Sequence, residues 1–254
     1  MILRNCSLFL LCLLMACTKS EEETITEFEL QFTQSWSGTP ISSDALNNVQ
    51  FQNEAGEKLT IERLRYLLSN IHLQLSNGTK IPLKAFHLVN IQKEESLKKT
   101  LTTFVAPKDI EAVSMLFGFE NETNQDGIYP DLNAVSWNVP RMLGGGYHFM
   151  QLDGKFINKM GALAPYNFHA IRAVDKTDPE NLIFEDSFFE IEQPIEATAS
   201  RIRMSIDMDV SQWFVNPHLW FLESDATSLM PNFEAQKRIA ANGKSVFSIQ
   251  IESY

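Results

Sequence analysis

The chain has 254 residues, of which 44% are hydrophobic and 21% are charged, and its formal net charge is −11. This composition is ordinary for a globular protein that buries a substantial core. An acidic chain is repelled by phosphate groups, so nucleic acid and anionic lipid surfaces are excluded as expected partners.

The N-terminal segment has the pattern of a lipoprotein signal peptide. It carries one charge, Arg4, and then an apolar run over residues 8–15 that is followed by Ala16-Cys17. An apolar run this short, before a small residue and Cys, is not typical of a membrane span. We therefore expect residues 1–16 to be removed, Cys17 to be lipidated, and the lipid to anchor the protein in the cell envelope at the outer membrane, on its periplasmic or its surface side.

Residues 17–26 are predicted to be a flexible acidic tether. Its acidic run resembles the surface-export signal of some Gram-negative lipoproteins, and a plain tether is the alternative. Cys6 and Cys12 leave with the signal peptide, and Cys17 is consumed by the lipid. The mature domain then has no thiol, so any metal site in it uses nitrogen, oxygen or thioether ligands.

The remaining residues, 27–254, have the pattern of a single β-rich domain. Phe28, Leu30 and Phe32 alternate with polar residues, which is typical of a half-buried strand. Further strands are predicted at residues 63–75, 81–91, 112–119, 147–152, 166–171, 181–191, 199–210 and 246–251, with a hairpin at Asn77-Gly78 and a solvated connector at 93–99. Residues 228–241 have helical spacing and end at Asn242-Gly243. The pattern predicts an all-β fold, a mainly antiparallel β-sandwich with one short helix near the C terminus.

The segment around residues 137–169 combines possible metal ligands with a run of three glycines. In a strand at 147–152, His148 and Met150 share a face because alternate residues point the same way. Imidazole and thioether groups suit cuprous copper. If residues 166–171 pair with this strand, His169 lies across from His148. The sequence thus indicates His148 and His169 as ligands and Met150 as a possible additional ligand, with ordinary packing as the alternative for each.

Other motifs favour structural roles. The glycines at 144–146 indicate a turn or bulge, although they also let another part of the chain approach the histidines. The pattern Glu122-x-Asn124-x-Asp126-Gly127 mimics half of a calcium loop but lacks its terminal glutamate, so a plain polar loop is favoured. The remaining histidines are expected to serve packing or surface roles: His72, His87 and His218.

Several short motifs together resemble the MbnP-like family. They are Arg63-Leu-Arg-Tyr-Leu-Leu-Ser-Asn, Gly144-Gly-Gly-Tyr-His-Phe-Met-Gln-Leu-Asp-Gly154, Phe168-His169, residues 209–214 with Leu229-Met230, and Asn242-Gly243-Lys-Ser-Val-Phe247. Members of this family are periplasmic or lipid-anchored copper-binding proteins, named for their association with methanobactin operons. The resemblance covers about residues 27–251 and implies a β-rich fold with one copper site built from histidine nitrogens.

Carried over to this chain, the resemblance implies that His148 and His169 bind copper. In some relatives a tryptophan is oxidised to kynurenine and joins the site, and Trp137 is the counterpart of that residue. This chain departs from the commoner pattern, because one Trp is followed by Asn138-Val-Pro-Arg-Met-Leu instead of two closely spaced Trp residues. Trp137 is therefore expected either to line the site or, once modified, to complete it.

No arrangement of a catalytic nucleophile is evident, so we expect no enzymatic activity. The expected function is copper capture, buffering or handover to a partner protein that exchanges the metal. Because binding needs neutral imidazoles, the affinity should fall below about pH 6.5. The alternative is a metal-free surface lipoprotein that acts as an interaction module through an apolar patch in residues 213–221.

Overall fold

The structure is a computed structural model that describes residues 25–178 and 180–254. The predicted signal peptide, the predicted lipidation site Cys17 and all but the last two residues of the predicted tether lie outside the described residues. Within the two described ranges, no helix is both long enough and apolar enough to cross a lipid bilayer.

The first of two main sheets contains the first strand of the domain and its last two. Its strands are β1 (Thr26–Trp36), β2 (Thr39–Pro40), β7 (Lys98–Thr103), β14 (Arg201–Asp209) and β15 (Phe247–Ser253). β1 runs parallel to β14, and the other pairs in this sheet are antiparallel. The predicted alternation in β1 is confirmed, since Phe28, Leu30 and Phe32 are all buried.

The second sheet is built around a long central strand. Its strands are β3 (Phe51–Gln52), β4 (Lys58–Leu59), β5 (Arg63–Leu75), β6 (Lys80–Asn90), β8 (Ile110–Phe117), β9 (Met150–Ile157), β10 (Leu163–Ala170) and β13 (Phe189–Pro194). β6 lies along one edge of β5, while β9 and β8 share the other edge, β9 pairing with the N-terminal part. β10 pairs antiparallel to β9, and β11 (Ala173–Asp175) and β12 (Ile183–Glu185) form a separate ribbon.

Three α-helices are present in the described residues: α1 (Pro130–Ala134), α2 (Leu222–Asp225) and α3 (Phe233–Gly243). The helix predicted at residues 228–241 corresponds to α3, but it begins later. The side chain of Asn232 accepts a hydrogen bond from the backbone N–H of Ala235, which makes Asn232 the N-cap and fixes the start of the helix there.

Aromatic side chains fill the space between the two sheets. The ring of Phe117 stacks on Phe189 at a centroid distance of 4.9 Å and contacts Trp213 at 5.2 Å and Phe247 at 6.0 Å. Tyr66 on β5 also packs against Phe247, at 5.8 Å. These contacts join strands of both sheets in one core, and the predicted β-sandwich is confirmed.

Several strand boundaries also differ from the prediction. β7 begins at the last two residues of the predicted connector (93–99) and continues to Thr103, where no strand was predicted, because an edge strand with exposed lysines lacks apolar alternation and is held by its pairing with β1. Residues 181–191 divide between β12 and β13, which pair with different strands. β9 begins at Met150 rather than at residue 147, and this difference decides where His148 points.

Candidate metal centre

The outer face of the second sheet carries two rows of polar side chains across β5, β9 and β10. The first row is Arg65, Gln151 and His169, and the second is Arg63, Asp153 and Asn167. The row between them, Leu64, Leu152 and Phe168, faces the core, since successive residues of a strand point to opposite faces. Gln151, Asp153 and His169 are nevertheless buried, with Asp153 8% and His169 9% exposed. Arg63 and Asn167, in the second row, are exposed.

The segment that connects β8 to β9 covers part of this outer face. Trp137 lies in this segment and is fully buried. The guanidinium of Arg65 stacks over the Trp137 ring at 4.9 Å and donates a hydrogen bond to the carbonyl oxygen of Val135 at 3.3 Å. A cation over an indole face is a favourable contact, so Arg65 fastens this segment to the sheet.

His148 reaches the same face because the chain bends at Phe149, just before β9 begins. Strict alternation through β9 would put His148 on the core face, together with Met150. Instead its backbone N–H donates to the carbonyl oxygen of Trp137 at 3.0 Å. The rings of His148 and His169 lie 5.4 Å apart and nearly perpendicular, at 83°. The predicted proximity of the two histidines is present, but His169 lies opposite Gln151 in the register.

Hydrogen bonds fix the tautomer of each imidazole. His148 Nδ1 lies 3.0 Å from the carbonyl oxygen of Trp137, and His169 Nε2 lies 2.8 Å from Asp153 Oδ1. A carbonyl and an ionised carboxylate only accept hydrogen bonds, so both of these ring nitrogens carry the proton. In the neutral form of each imidazole the lone pair then lies on His148 Nε2 or His169 Nδ1, the nitrogen through which that residue would bind a metal ion.

Asp153 is held in its ionised form. Burial alone would raise the pKa of this carboxyl group, but hydrogen bonds from His169, Arg63 and Asn167 outweigh burial and hold the pKa well below its usual range. The distances from Asp153 to Arg63 Nε and Asn167 Nδ2 are both 2.6 Å. A carboxylate that accepts from the distal nitrogen of an imidazole is the common outer partner of a metal-binding histidine.

His148 is held in its neutral form. Burial lowers its pKa to about 4, against a smaller raising effect of the Trp137 carbonyl, and the positive charge of Arg65 lowers the pKa further. Metal ions bind neutral imidazole, so this residue is ready to bind across the physiological pH range.

Buried polar atoms without a hydrogen-bond partner cluster here. Among the described residues, Trp137 Nε1, His169 Nδ1 and Arg65 Nε have none. The Trp137 and His148 rings are 5.6 Å apart. Leaving such an atom unpaired costs about 1–3 kcal/mol, so a bound group that engages His169 Nδ1 would relieve part of this cost.

The donor set fits a copper ion better than a hard cation. No three His, Cys, Asp or Glu side chains in the described ranges are grouped so that they could hold a metal ion. The site thus offers two imidazole nitrogens, and any further ligand comes from another chemical group. Imidazole suits copper and zinc, whereas magnesium and calcium prefer several oxygens.

Met150 does not face this site. It pairs with Tyr66 and Ala170 in a row on the core face of the second sheet, where the Tyr66 hydroxyl accepts a hydrogen bond from Gln34 of the opposing sheet at 3.2 Å. Met150 is fully buried there. Since His169 lies on the other face, the structure does not support Met150 as an additional ligand.

The three glycines make room for the loop with the calcium-like pattern. Gly144, Gly145 and Gly146 all have positive φ, at 100°, 66° and 79°. Asn124 Oδ1 accepts from the Tyr147 N–H at 2.8 Å, and Asp126 Oδ1 accepts from the Gly146 N–H at 2.6 Å. These loop oxygens therefore hold the backbone immediately before His148. The loop is the element that approaches Gly145 and Gly146, whereas Gly144 is approached by Val174.

The other histidines have separate surroundings. His87 stacks on Phe32 at 4.8 Å and its Nε2 contacts the Ser96 carbonyl oxygen at 2.8 Å. His72 is buried further along β5, with Nδ1 2.8 Å from the Asn70 carbonyl oxygen. His218 is exposed. None of them joins the pair formed by His148 and His169.

Sequence reasoning missed Asp153 and Arg65. A usable signal was present for Asp153, because residues 151 and 153 share a face of β9 once β9 is paired with the strand that carries His169. Arg65 follows from the same alternation on β5, but only after β5 is known to be the neighbour of β9.

Comparison with known proteins places these observations in a family. The family model described as MbnP matches residues 25–231. The solved structure of MbnP from Methylosinus trichosporium superposes with a TM-score of 0.57, covering 90% of this chain and 99% of that one, at 11% sequence identity. At this identity the likeness shows a shared fold. No curated protein has significant sequence similarity to the chain.

Proposed function

Because the chain belongs to the MbnP family, we propose that it binds one copper ion through His148 Nε2 and His169 Nδ1. The observation that carries the proposal is the pair of buried imidazoles, 5.4 Å apart, whose protons are fixed on the nitrogens directed to other acceptors. Cuprous copper fits this pair because imidazole is a suitable ligand and no thiolate is required.

The surrounding residues hold the two ligands rather than bind the metal. Asp153 orients His169 and makes its free nitrogen more basic, as outer carboxylates do in other metal sites. The Trp137 carbonyl orients His148. Since burial lowers the pKa of His148 to about 4, protons compete at this ligand only well below the value of about 6.5 expected from an unperturbed imidazole.

Trp137 lines the proposed site, 5.6 Å from the His148 ring. Oxidation to kynurenine would replace the indole by ketone and aniline groups, which offer an additional ligand to a two-histidine site. The unmodified indole and the kynurenine form are both compatible with the proposal, and peptide mass spectrometry across Trp137 distinguishes them.

We further propose that the protein is anchored in the cell envelope by lipid on Cys17 and captures or buffers copper there, or hands it to a partner protein. The support is the apolar run that ends in Ala16-Cys17 at the N terminus. Globomycin, which blocks the signal peptidase of lipoproteins, should cause the uncleaved precursor to accumulate.

The experiment for the copper site is metal analysis of the full-length protein, purified in detergent from copper-supplemented cells. We expect close to one copper per chain, and its loss in both His148→Ala and His169→Ala. His72→Ala is the matched control, because His72 and His148 are both 5% exposed. Copper absent from the unaltered protein after Cu(I) is added under reducing conditions would refute the proposal.

An interaction module without metal is a second candidate, and one observation favours it. Trp213 and Trp220 of the segment 213–221 are buried, but Leu219 is 43% exposed and Phe221 is 48% exposed. Exposed apolar side chains of this size are typical of contact surfaces when they are clustered. If this function holds, the unaltered protein carries no copper, and Phe221→Ser abolishes its capture of a partner protein.

A further inference from the structure

Arg65 is a cation that lacks a counterion. No carboxylate of the described residues lies within ion-pair distance of it, whereas its neighbour on the same face, Arg63, pairs with Asp153 at 2.6 Å. The guanidinium of Arg65 instead donates to two neutral oxygens, the Val135 carbonyl and the Gln151 side-chain amide. Its Nε is buried without a partner.

If Arg65 served only to hold the fold together, its unpaired and partly buried charge would be energetically unfavourable. Burial lowers the pKa of Arg65 and the charge of Arg63 lowers it further; the charge of Asp153 raises it by less, so the surroundings as a whole disfavour the charged form. Charged groups are seldom buried without a partner of opposite charge. A neutral donor would satisfy the same two oxygens without that cost, so the positive charge itself calls for an explanation.

The charge lies beside the two histidines. Arg65 and His169 occupy the same cross-strand row with Gln151 between them, so their Cα atoms are about 10 Å apart. The Arg65 guanidinium is 4.9 Å from the Trp137 ring, which is 5.6 Å from the His148 ring. Arg63 and Asp153 offset each other, and an imidazole that binds a metal is neutral, so Arg65 gives the surroundings of a bound metal ion one net positive charge.

We propose that Arg65 determines the metal specificity of this site, by disfavouring divalent ions relative to Cu(I) through its uncompensated charge. This inference rests on the proposed copper-binding function and adds the basis of its selectivity. With the spacing of about 10 Å between the two backbones taken as the distance between the charges, and an effective dielectric constant of about 20, each unit of positive charge on the metal weakens binding roughly tenfold. The affinity for a divalent ion is therefore lowered roughly tenfold more than the affinity for Cu(I).

The test compares Cu(I) and Zn(II) affinities, measured by competition with chromophoric chelators, in the full-length protein and its variants. Arg65→Gln removes the charge and keeps a hydrogen-bond donor, so the ratio of Zn(II) to Cu(I) affinity should rise roughly tenfold. Arg65→Lys keeps the charge and should leave the ratio near its original value. Lys108→Gln removes one positive charge from an exposed residue outside the site and should change nothing.

Two further measurements separate the charge from a structural role. In Arg65→Gln the Cu(II)/Cu(I) midpoint potential should fall by about 59 mV, which is the tenfold change expressed for a one-electron couple. Asp153→Asn leaves Arg63 unpaired and adds positive charge, so the ratio of Zn(II) to Cu(I) affinity should fall instead. Because Asp153 also orients His169, only the ratio of the two affinities is compared in this variant; if Arg65→Gln fails to fold, an unchanged ratio in Asp153→Asn refutes control of the selectivity by charge.

The possible results test the role of Arg65 and the copper-binding function separately. If the unaltered protein binds Cu(I) and the ratio is the same in Arg65→Gln and Asp153→Asn as in the unaltered protein, the role of Arg65 is refuted and the copper site stands. A ratio that changes equally in Arg65→Lys and Arg65→Gln also refutes it, because shape rather than charge would then be responsible. An unaltered protein that binds no Cu(I) refutes both.

Discussion

His148 shows most clearly how burial changes the chemistry of a single residue. Its pKa is lowered by burial from 6.5 to about 4, whereas the unfolded chain returns it to the ordinary value. As the pH falls from 6.5 to 4, the unfolded state takes up a proton that the folded state does not. In the metal-free protein this residue should therefore remove about 3 kcal/mol from the free energy of unfolding over that range, and contribute no pH dependence above it.

Urea unfolding in the presence of a chelator, repeated between pH 7.5 and pH 4, measures this effect. His148→Gln should lose the corresponding part of the pH dependence, while His218→Gln, at an exposed position, should retain it. The lowered pKa of Asp153 acts below its unfolded value of 3.8 and so lies outside the window. An unchanged pH profile in His148→Gln would show that burial does not shift this imidazole.

Residue types and family motifs were sufficient to predict that Trp137, His148 and His169 come together. They were not sufficient for Met150, which strict alternation placed beside His148. The bend at Phe149 moves His148 to the opposite face, and a bend of this kind depends on the loop oxygens of Asn124 and Asp126 that hold the preceding backbone. Those contacts are distant in sequence, and no local pattern predicts them.

The glycine segment is the element on which the position of His148 depends. A Cβ on Gly146 would lie 2.5 Å from Asn124 Oδ1 and 2.7 Å from the Asn124 carbonyl oxygen, at a φ of +79°. Gly146→Ala should therefore lower the free energy of unfolding by about 2 kcal/mol or more, through backbone strain and this steric overlap. It should also weaken copper binding, because Tyr147 and His148 follow directly.

Gly161→Ala is the matched control for this element. Gly161 has a nearly equal φ of +76°, but a Cβ there would meet nothing within 4 Å. Chemical denaturation of both variants separates the cost of the backbone conformation from the cost of the overlap. Equal losses of stability would show that the approach of Asn124 is not what requires glycine at residue 146.

Strands with clear apolar alternation were predicted well, and strands defined by their neighbours were not. β1 and β14 lie close to their predicted ranges because each buries one face. β7 was missed because its residues are mostly exposed and its pairing with β1 supplies the stability. The start of α3 was predicted too early because apolar spacing continues into the turn before Asn232, while the capping hydrogen bond sets the boundary.

At the scale of the whole molecule, stability depends on the aromatic core between the sheets. Phe117 is fully buried and contacts Phe189, Trp213 and Phe247. Phe117→Ala should lower the free energy of unfolding by about 3–5 kcal/mol, as is typical of large cavities in protein cores. Chemical denaturation of the purified variant measures this loss.

The control for this substitution is Phe104→Ala. Phe104 is 73% exposed, so removing its ring should change the free energy of unfolding by less than about 0.5 kcal/mol. A comparable loss in the two variants would contradict the assignment of the core to the space between the sheets.

The sandwich class was predictable from many short alternating strands, but the order of the strands was not. Alternation indicates which face of a strand is buried and says nothing about which strand lies beside it. The parallel pairing of β1 with β14 is the clearest example, because about two thirds of the chain separates the paired residues.

The parallel pair of β1 and β14 can form only late, after most of the chain has emerged. Thr33 on β1 donates to the Asp207 side chain on β14 across 174 positions of sequence. As the chain emerges, one edge of β1 remains without its partner until residues 201–209 have followed. Contacts this distant in sequence slow folding and leave an exposed strand edge open to aggregation in the meantime. The nascent chain therefore depends on rapid completion, or on a chaperone that covers its first strand.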